Sequence, residues 1–193
     1  MPEDPKATLH RYLRRTRDAL LWKLDGLGDY DVRRPMTPTG TNLLGLVKHT
    51  AAVGSGYLCD TFGRRFAYDQ PWFADDADLQ ADMFAAADES RADIVRFWHD
   101  AWAASDEMVD SHDLDALGEV PWWPAERNPV SLHYVLVHLI DELARHAGQA
   151  DIVRELIDER VGVRADNANL PDVDANWWRD YRARLEQIAR QSL

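Results

Sequence analysis

The sequence predicts an all-α fold: a four-helix bundle with a long crossover between its second and third helices, plus an accessory C-terminal helix. Four segments repeat apolar residues at helical spacing, and no segment alternates β-branched and polar residues as a half-buried strand does. The longest irregular stretch separates the second helix from the third, as in bundles with a crossover connection. A chain of 193 residues can bury one full hydrophobic core, so we expect a single domain over residues 1–193.

The first two helices are separated by a stretch of turn-forming residues. Residues 6–26 carry apolar side chains at helical spacing and end at Gly26, a helix-stop signal. Residues 27–41 are rich in glycine, aspartate and proline, which predicts a loop. The end of that loop offers Thr41 and Asn42 as N-caps, so we expect the second helix to run from there to about Phe62.

The predicted crossover begins with an acidic, irregular stretch at residues 67–86. It contains Asp75, Asp76, Asp78 and Asp82, a density of carboxylates that a calcium loop would also show. When Asp76 is placed at the first position of such a loop, alanines stand where the tight-turn glycine and the bidentate glutamate belong. The stretch is therefore interpreted as a solvated acidic connection.

The third and fourth helices follow this connection. Residues 88–110 supply a bulky apolar face and predict a core helix. A loop at residues 111–130 carries Trp122 and Trp123 between two prolines. Ser131 is then a candidate N-cap for a strongly periodic helix, Leu132 to Asp158.

The accessory helix covers about residues 174–191. Trp177, Trp178 and Tyr181 give it an aromatic side. We expect these rings to pack either on the bundle or on the partner of a homodimer.

Charge and composition exclude several classes of partner. Lysine and arginine total 22 against 34 acidic residues, and the net charge of −12 repels nucleic-acid phosphates and anionic lipids. No apolar run approaches ~18 residues and no signal peptide is visible, so we expect a cytoplasmic protein without a membrane span. Cys59 is the only cysteine and is interpreted as a core residue, so metal ligands would have to be histidines and carboxylates.

Three ligand-type residues are predicted to point inward from two core helices. On a helical wheel, His146 falls inside the apolar arc of the fourth helix and Glu142 lies at its edge, while His49 shares the apolar face of the second helix. Burying such groups without partners costs several kcal/mol, so they must meet each other, another polar side chain, water or a metal. A structural role is open, because a Glu and a His four residues apart also stabilise a helix. Three such ligands would leave a fourth position on a metal free for chemistry.

Two segments resemble motifs of the DinB superfamily. The stretch from His138 to Glu155, which includes Glu142 and His146, is similar to its helix motif, and Asn42 to His49 resembles its second-helix motif. The closest branch includes the metal-binding domain of mycothiol-dependent maleylpyruvate isomerase. The resemblance implies that His49, Glu142 and His146 bind a divalent metal, with zinc expected first and nickel as the alternative.

The resemblance also implies a reaction. In this family the metal binds the sulfur of a low-molecular-weight thiol such as mycothiol, which then attacks a small electrophile. Because the chain ends soon after the bundle, we expect a thiol S-transferase rather than an isomerase. His138, Trp122 and Trp123 are the residues expected to line the pocket, although the two tryptophans could equally cap the core.

Two other functions stay open at this point. The metal could activate water in a hydrolase, with His138 as the base. The protein could instead be a non-enzymatic, stress-related binding protein whose metal is structural or absent.

Overall fold

The computed structural model describes residues 4–192 and confirms the all-α class. Its helices are α1 (Pro5–Leu21), α2 (Asp29–Arg33), α3 (Leu43–Leu58), α4 (Arg91–Ser111), α5 (Leu132–Asp158) and α6 (Ala175–Arg190). Two short strands, β1 (Leu117–Gly118) and β2 (Val130–Ser131), pair antiparallel before α5. Short 3-10 turns lie at Trp22–Leu24, Asp60–Phe62, Pro71–Phe73, Ala81–Met83 and Ala125–Arg127.

Side-chain caps set the starts of the helices that carry the site. The Asn42 side chain accepts a hydrogen bond from the Gly45 backbone N–H at 2.7 Å, and the Ser131 side chain accepts one from Tyr134 at 3.2 Å. Each satisfies a backbone donor that the first turn of a helix leaves unpaired. Asn42 and Ser131 were both predicted as caps, whereas Thr41 lies outside the helix.

The predicted helix ends were too late in two places. The first helix leaves α-geometry at Leu21 and the second at Leu58, and each is followed by a 3-10 turn that covers most of the remaining predicted residues. Apolar spacing continues through such tighter turns, so periodicity alone does not mark the change. The one-turn helix α2 lies within a stretch that was predicted to be a loop.

Helix α3 is at the centre of the packing. It contacts both α4 and α5, and nearly all of its residues are buried, while α1 packs along α5. The approach of α4 requires Gly54, because a Cβ atom there would lie 2.3 Å from the Trp102 ring. The closed four-helix bundle itself stays a prediction.

A buried charge cluster joins α1 to α4. Arg17 donates two hydrogen bonds to the Asp106 carboxylate, at 2.9 and 3.0 Å, and His10 Nε2 lies 2.7 Å from the same carboxylate. Burial raises the pKa of Asp106, but these hydrogen bonds and the charges of Arg17 and His10 outweigh it, so the pKa falls to about 2. Asp106 is therefore ionised at neutral pH and compensates the buried Arg17 guanidinium.

The accessory helix does not pack on the core. No residue of α6 is buried, so the expected packing of its rings on the bundle is wrong. The Trp177 ring instead contacts Trp178 at 4.9 Å and Tyr181 at 5.0 Å between centroids. The alternative, a homodimer partner, stays a prediction.

None of the helices within residues 4–192 has the length and apolar composition that crossing a bilayer requires.

Replacing Asp106 by Asn should lower the free energy of unfolding at pH 7 by about 2 kcal/mol, since each unit of pKa depression corresponds to about 1.4 kcal/mol. The pKa of Asp106 is lowered on folding, so this contribution is present above the unfolded pKa and is lost as pH falls towards about 2. The difference between wild type and D106N should shrink to about half by pH 3. Urea unfolding at pH 3 to 7 measures it.

Asp110 supplies the matched control, because it lies near the same histidine but its side chain is 69% exposed. D110N should change stability by less than about 0.5 kcal/mol. A D106N deficit that stays constant across the pH range would contradict the assignment of this carboxylate as the stabilising charge.

Candidate metal centre

The three predicted ligand residues meet between α3 and α5. One ligand atom each from His49, Glu142 and His146 lies within 4.8 Å of the others. Glu142 Oε1 is 3.1 Å from His146 Nε2 and 3.7 Å from His49 Nε2. The two imidazole rings stand edge to face, with centroids 4.8 Å apart. The inward orientation expected from the helical wheel is therefore observed.

The triad is shielded from solvent without being sealed. The side chains of His49 and His146 are 16% and 10% exposed, and that of Glu142 is 31% exposed. The two histidines thus form the inner wall and the carboxylate the outer edge. Solvent therefore reaches the triad mainly on the side of Glu142.

Other side chains engage the outer nitrogen of each imidazole. Asp82 Oδ2 lies 2.6 Å from His49 Nδ1, and Gln149 Oε1 lies 2.8 Å from His146 Nδ1. Burial raises the pKa of Asp82, but the hydrogen bond and charge of His49 outweigh it and lower the pKa below its usual value. An ionised carboxylate only accepts hydrogen bonds, so His49 Nδ1–H is the donor, and His146 Nδ1–H donates to the amide oxygen in the same way.

Three electron-pair donors consequently face one another. With Nδ1 protonated in each ring, Nε2 is the nitrogen that faces Glu142, and it can either carry a proton that donates to the carboxylate or offer a lone pair to a cation. Burial raises the pKa of Glu142, but the hydrogen bond with His146 and the charges of His146 and His49 lower it overall. Such an arrangement requires positive charge at its centre, either a proton on Nε2 or a cation. Two imidazole nitrogens and one carboxylate oxygen suit zinc and similar ions, so these residues fit a divalent metal.

An aromatic cluster lies further along α3 and α5, beside the triad. Tyr57 lies two helical turns beyond His49, and His138 one turn before Glu142. Their ring centroids are 4.8 Å apart, and Trp122 and Trp123 approach Tyr57 at 5.0 and 5.8 Å. The predicted pocket residues are thus brought together, although their role in binding stays a prediction.

The Asn128 side chain closes the loop that carries the two tryptophans. Asn128 accepts a hydrogen bond from the Val120 N–H at 2.9 Å and donates one to the Val120 carbonyl at 3.1 Å. Val120 itself is buried in the core. The Trp122 ring is half exposed and lies over Gly56 of α3, while Trp123 is partly buried against the core, so whether these rings cap the core or line a pocket stays a prediction.

Comparison with known families now identifies the relatives of this chain. The family model described as mycothiol-S-transferase matches residues 8–159. The chain belongs to the mycothiol S-transferase family. The match contains all three residues of the triad and ends just after α5, so it confirms the resemblance to the DinB superfamily.

A solved structure is similar in fold. It is a conserved protein from Enterococcus faecalis, aligned over 82% of this chain and 99% of that one, with a TM-score of 0.59 and 18% identity. At this identity the likeness concerns the fold alone. No curated protein matches this member of the mycothiol S-transferase family.

The single cysteine of this mycothiol S-transferase family member lies in the core. Cys59 is fully buried, and burial raises the pKa of its thiol above the usual value. Its sulfur lies 4.0 Å from the hydroxyl of Ser105 on α4. A reactive thiolate is therefore not supplied by this residue.

The sequence interpretation missed Asp82. It was assigned to a solvated acidic connection, yet its side chain is only 14% exposed and contacts His49, 33 positions away in the chain. The surrounding stretch has no periodicity, and neighbouring aspartates are indistinguishable from it by composition. Gln149 was missed as well; its spacing of three residues from His146 is the only local signal that could have indicated it.

Proposed function

We propose that this protein is a divalent-metal-dependent thiol S-transferase that uses mycothiol. The family assignment supports a thiol-transferase role. The observation that carries the metal proposal is the convergence of His49 Nε2, His146 Nε2 and a Glu142 oxygen, with both Nδ1 atoms held by other side chains. These three residues would hold the metal, with zinc expected first and nickel as the alternative.

The protein residues and the cation would have separate roles in the reaction. A divalent cation with three protein ligands would lower the pKa of a thiol bound at its open position, and so supply a thiolate at neutral pH. Glu142 reduces the charge of the site to about +1 by formal counting, which one thiolate would balance. Asp82 accepts from His49 and makes that imidazole a better electron donor.

We further propose that the aromatic cluster holds the electrophile. His138 lies one turn from Glu142 along α5, and the Trp123 ring lies 5.8 Å from the His138 ring, so a substrate held there would be near the sulfur. Ring faces favour planar or apolar groups. The sulfur would form a bond to an electrophilic carbon, and a leaving group would depart with the bonding electrons of that carbon.

No contact of the described residues favours the hydrolase alternative. Its proposed base, His138, contacts Tyr57, Trp123 and Tyr134, all of them aromatic. The hydrolase and the non-enzymatic binding protein are therefore treated as outcomes of the experiments below.

We also propose a cytoplasmic homodimer, joined through α6. The cytoplasm keeps low-molecular-weight thiols reduced. The apolar side of α6, with Trp177, Leu185 and Ile188, is exposed. Four arginines against two carboxylates give this helix a charge of +2, so the rest of the chain carries −14 and would attract the helix of a second copy.

Replacing His146 by Ala should abolish both bound metal and thiol transfer, because two ligands cannot hold the ion against competing water. We expect kcat/KM to fall about 10³-fold or more. Metal analysis and an assay with purified mycothiol and a chloronitroaromatic electrophile measure the two effects. His133→Ala, an exposed histidine on the same helix, is the matched control and should retain both.

The same experiment separates the alternatives. Turnover that persists without added thiol would contradict the transferase proposal and support the hydrolase. Purified protein that carries no metal, and whose melting temperature does not change after chelator treatment, would support the non-enzymatic binding protein.

Replacing Trp123 by Ala should raise KM for an aromatic electrophile about tenfold, since the lost ring contact is worth about 1.4 kcal/mol. The kcat value and the KM for a small aliphatic electrophile should change little. Tyr12→Ala, a partly exposed ring on α1, is the control. Equal losses for both electrophiles would argue against an aromatic binding site.

Replacing Leu185 by Glu should convert the dimer into monomer by placing charge in the apolar interface. Light scattering should then give 22.1 kDa instead of twice that mass. Ala183→Glu adds the same charge on the opposite side of α6 and should leave the dimer intact. A wild-type chain that is monomeric at ~50 μM would refute this interface.

A further inference from the structure

A segment of the crossover is fixed to α3 beside the metal centre. This segment, residues 81–89, is called the strap below. Asn42 Nδ2 donates a hydrogen bond to the Met83 carbonyl at 3.1 Å. The same carbonyl occupies the space above Gly45, where a Cβ atom would lie only 1.7 Å from it. The strap therefore touches the backbone of α3 at a place that admits only glycine.

Lys48 holds the strap at three points. Its Nζ donates to the carbonyls of Ala81 and Phe84, at 2.9 and 3.0 Å, and pairs with Glu89 at 2.8 Å. The residue is only 2% exposed, and the Trp72 ring lies 4.3 Å from its Nζ. All three protons of the ammonium group are thus engaged within the protein.

Asp82 lies between two of these points. Its neighbour Ala81 and the nearby Phe84 are the residues whose carbonyls Lys48 binds, so the backbone on either side of Asp82 is fixed. His49 follows Lys48 directly on α3 and points about 100° away. The lysine therefore reaches the strap backbone while the histidine meets the Asp82 side chain.

Stability alone does not explain a buried ammonium group at this position. Desolvating a charge costs several kcal/mol, and a well-packed apolar side chain of similar volume is often equally stabilising or better. What an apolar residue would not provide is directional contact with two carbonyls and a carboxylate. The contacts of Lys48 specify where the strap lies, and with it where Asp82 lies.

We propose that Lys48 is a positioning residue for the metal centre. It holds the strap so that Asp82 accepts from His49 Nδ1–H, which directs the Nε2 lone pair of His49 towards Glu142 and His146. This inference rests on the proposed function for its link to metal binding. The tautomer of His49 is a property of the metal-free protein and is tested independently.

The experiment compares Lys48→Met, Asp82→Asn and the double variant in the full chain. Zn²⁺ affinity is measured by competition with a chromophoric chelator. Each single variant should bind Zn²⁺ about 10- to 100-fold more weakly, the range for lost partners of metal-bound histidines. The double variant should bind no more weakly than D82N, because Lys48 acts through Asp82.

Lys23→Met is the matched control. Lys23 is also buried, at 1% exposure, and pairs with Asp151 and the Gly162 carbonyl rather than with the strap or with a residue of the triad. It should lose stability like K48M while its Zn²⁺ affinity stays within about twofold of wild type. If the loss of any buried lysine weakened metal binding, K23M and K48M would both show a lower Zn²⁺ affinity.

Imidazole ¹⁵N NMR of the metal-free protein supplies the second readout. His49 should carry its proton on Nδ1 in wild type, and should populate the other tautomer in K48M. If K48M does not fold, Gly45→Ala tests the same idea, since it displaces the strap while alanine preserves the helix. It should weaken Zn²⁺ binding and shift the tautomer in the same direction.

The outcomes are distinct. An unchanged tautomer and affinity in K48M, or losses in K48M and D82N that multiply in the double variant, would overturn the role of Lys48. A wild-type protein that binds no Zn²⁺ would contradict the proposed function. The tautomer measurement would still decide whether Lys48 acts on His49.

Discussion

The arrangement of lone pairs at His49, Glu142 and His146 is the constraint on which the proposed chemistry depends. Each imidazole has its Nδ1 committed to an acceptor, so its Nε2 is the nitrogen left to bind a proton or a metal beside the Glu142 carboxylate. Helices α3 and α5 bring these groups together from distant parts of the chain. The rest of the molecule can be understood as support for this geometry.

The crossover between α3 and α4 is part of that support. A connection of this length is entropically expensive to order unless it makes compensating contacts. Here the contacts are buried and polar: Lys48, Asn42 and Arg33 all donate to backbone carbonyls of residues 81–89. The same ordering delivers a carboxylate to His49, which neither core helix provides at that position.

Periodicity explains why part of this could be predicted from the sequence. The inward faces of the second and fourth long helices follow from 3.6-residue spacing, so the triad could be proposed before its distances were known. Asp82 could not, because it lies in an aperiodic stretch and its partner is far away in the chain. The burial of Lys48 against the crossover could not be predicted either, because it depends on tertiary packing alone. The short helix α2 was missed because its turn-forming residues suit a loop equally well.

The inaccessible sulfur of Cys59 has a consequence for durability under chemical stress. Transferases that rely on their own thiol risk being alkylated by the compounds they process, and each such event is irreversible. On the proposed chemistry, the nucleophile here is a diffusible molecule consumed once per cycle, while the only thiol of the protein is buried in the core, where its raised pKa keeps it protonated. Such an enzyme would be inactivated by its substrates far more slowly. Its total turnover would then be limited by the cellular supply of the small thiol.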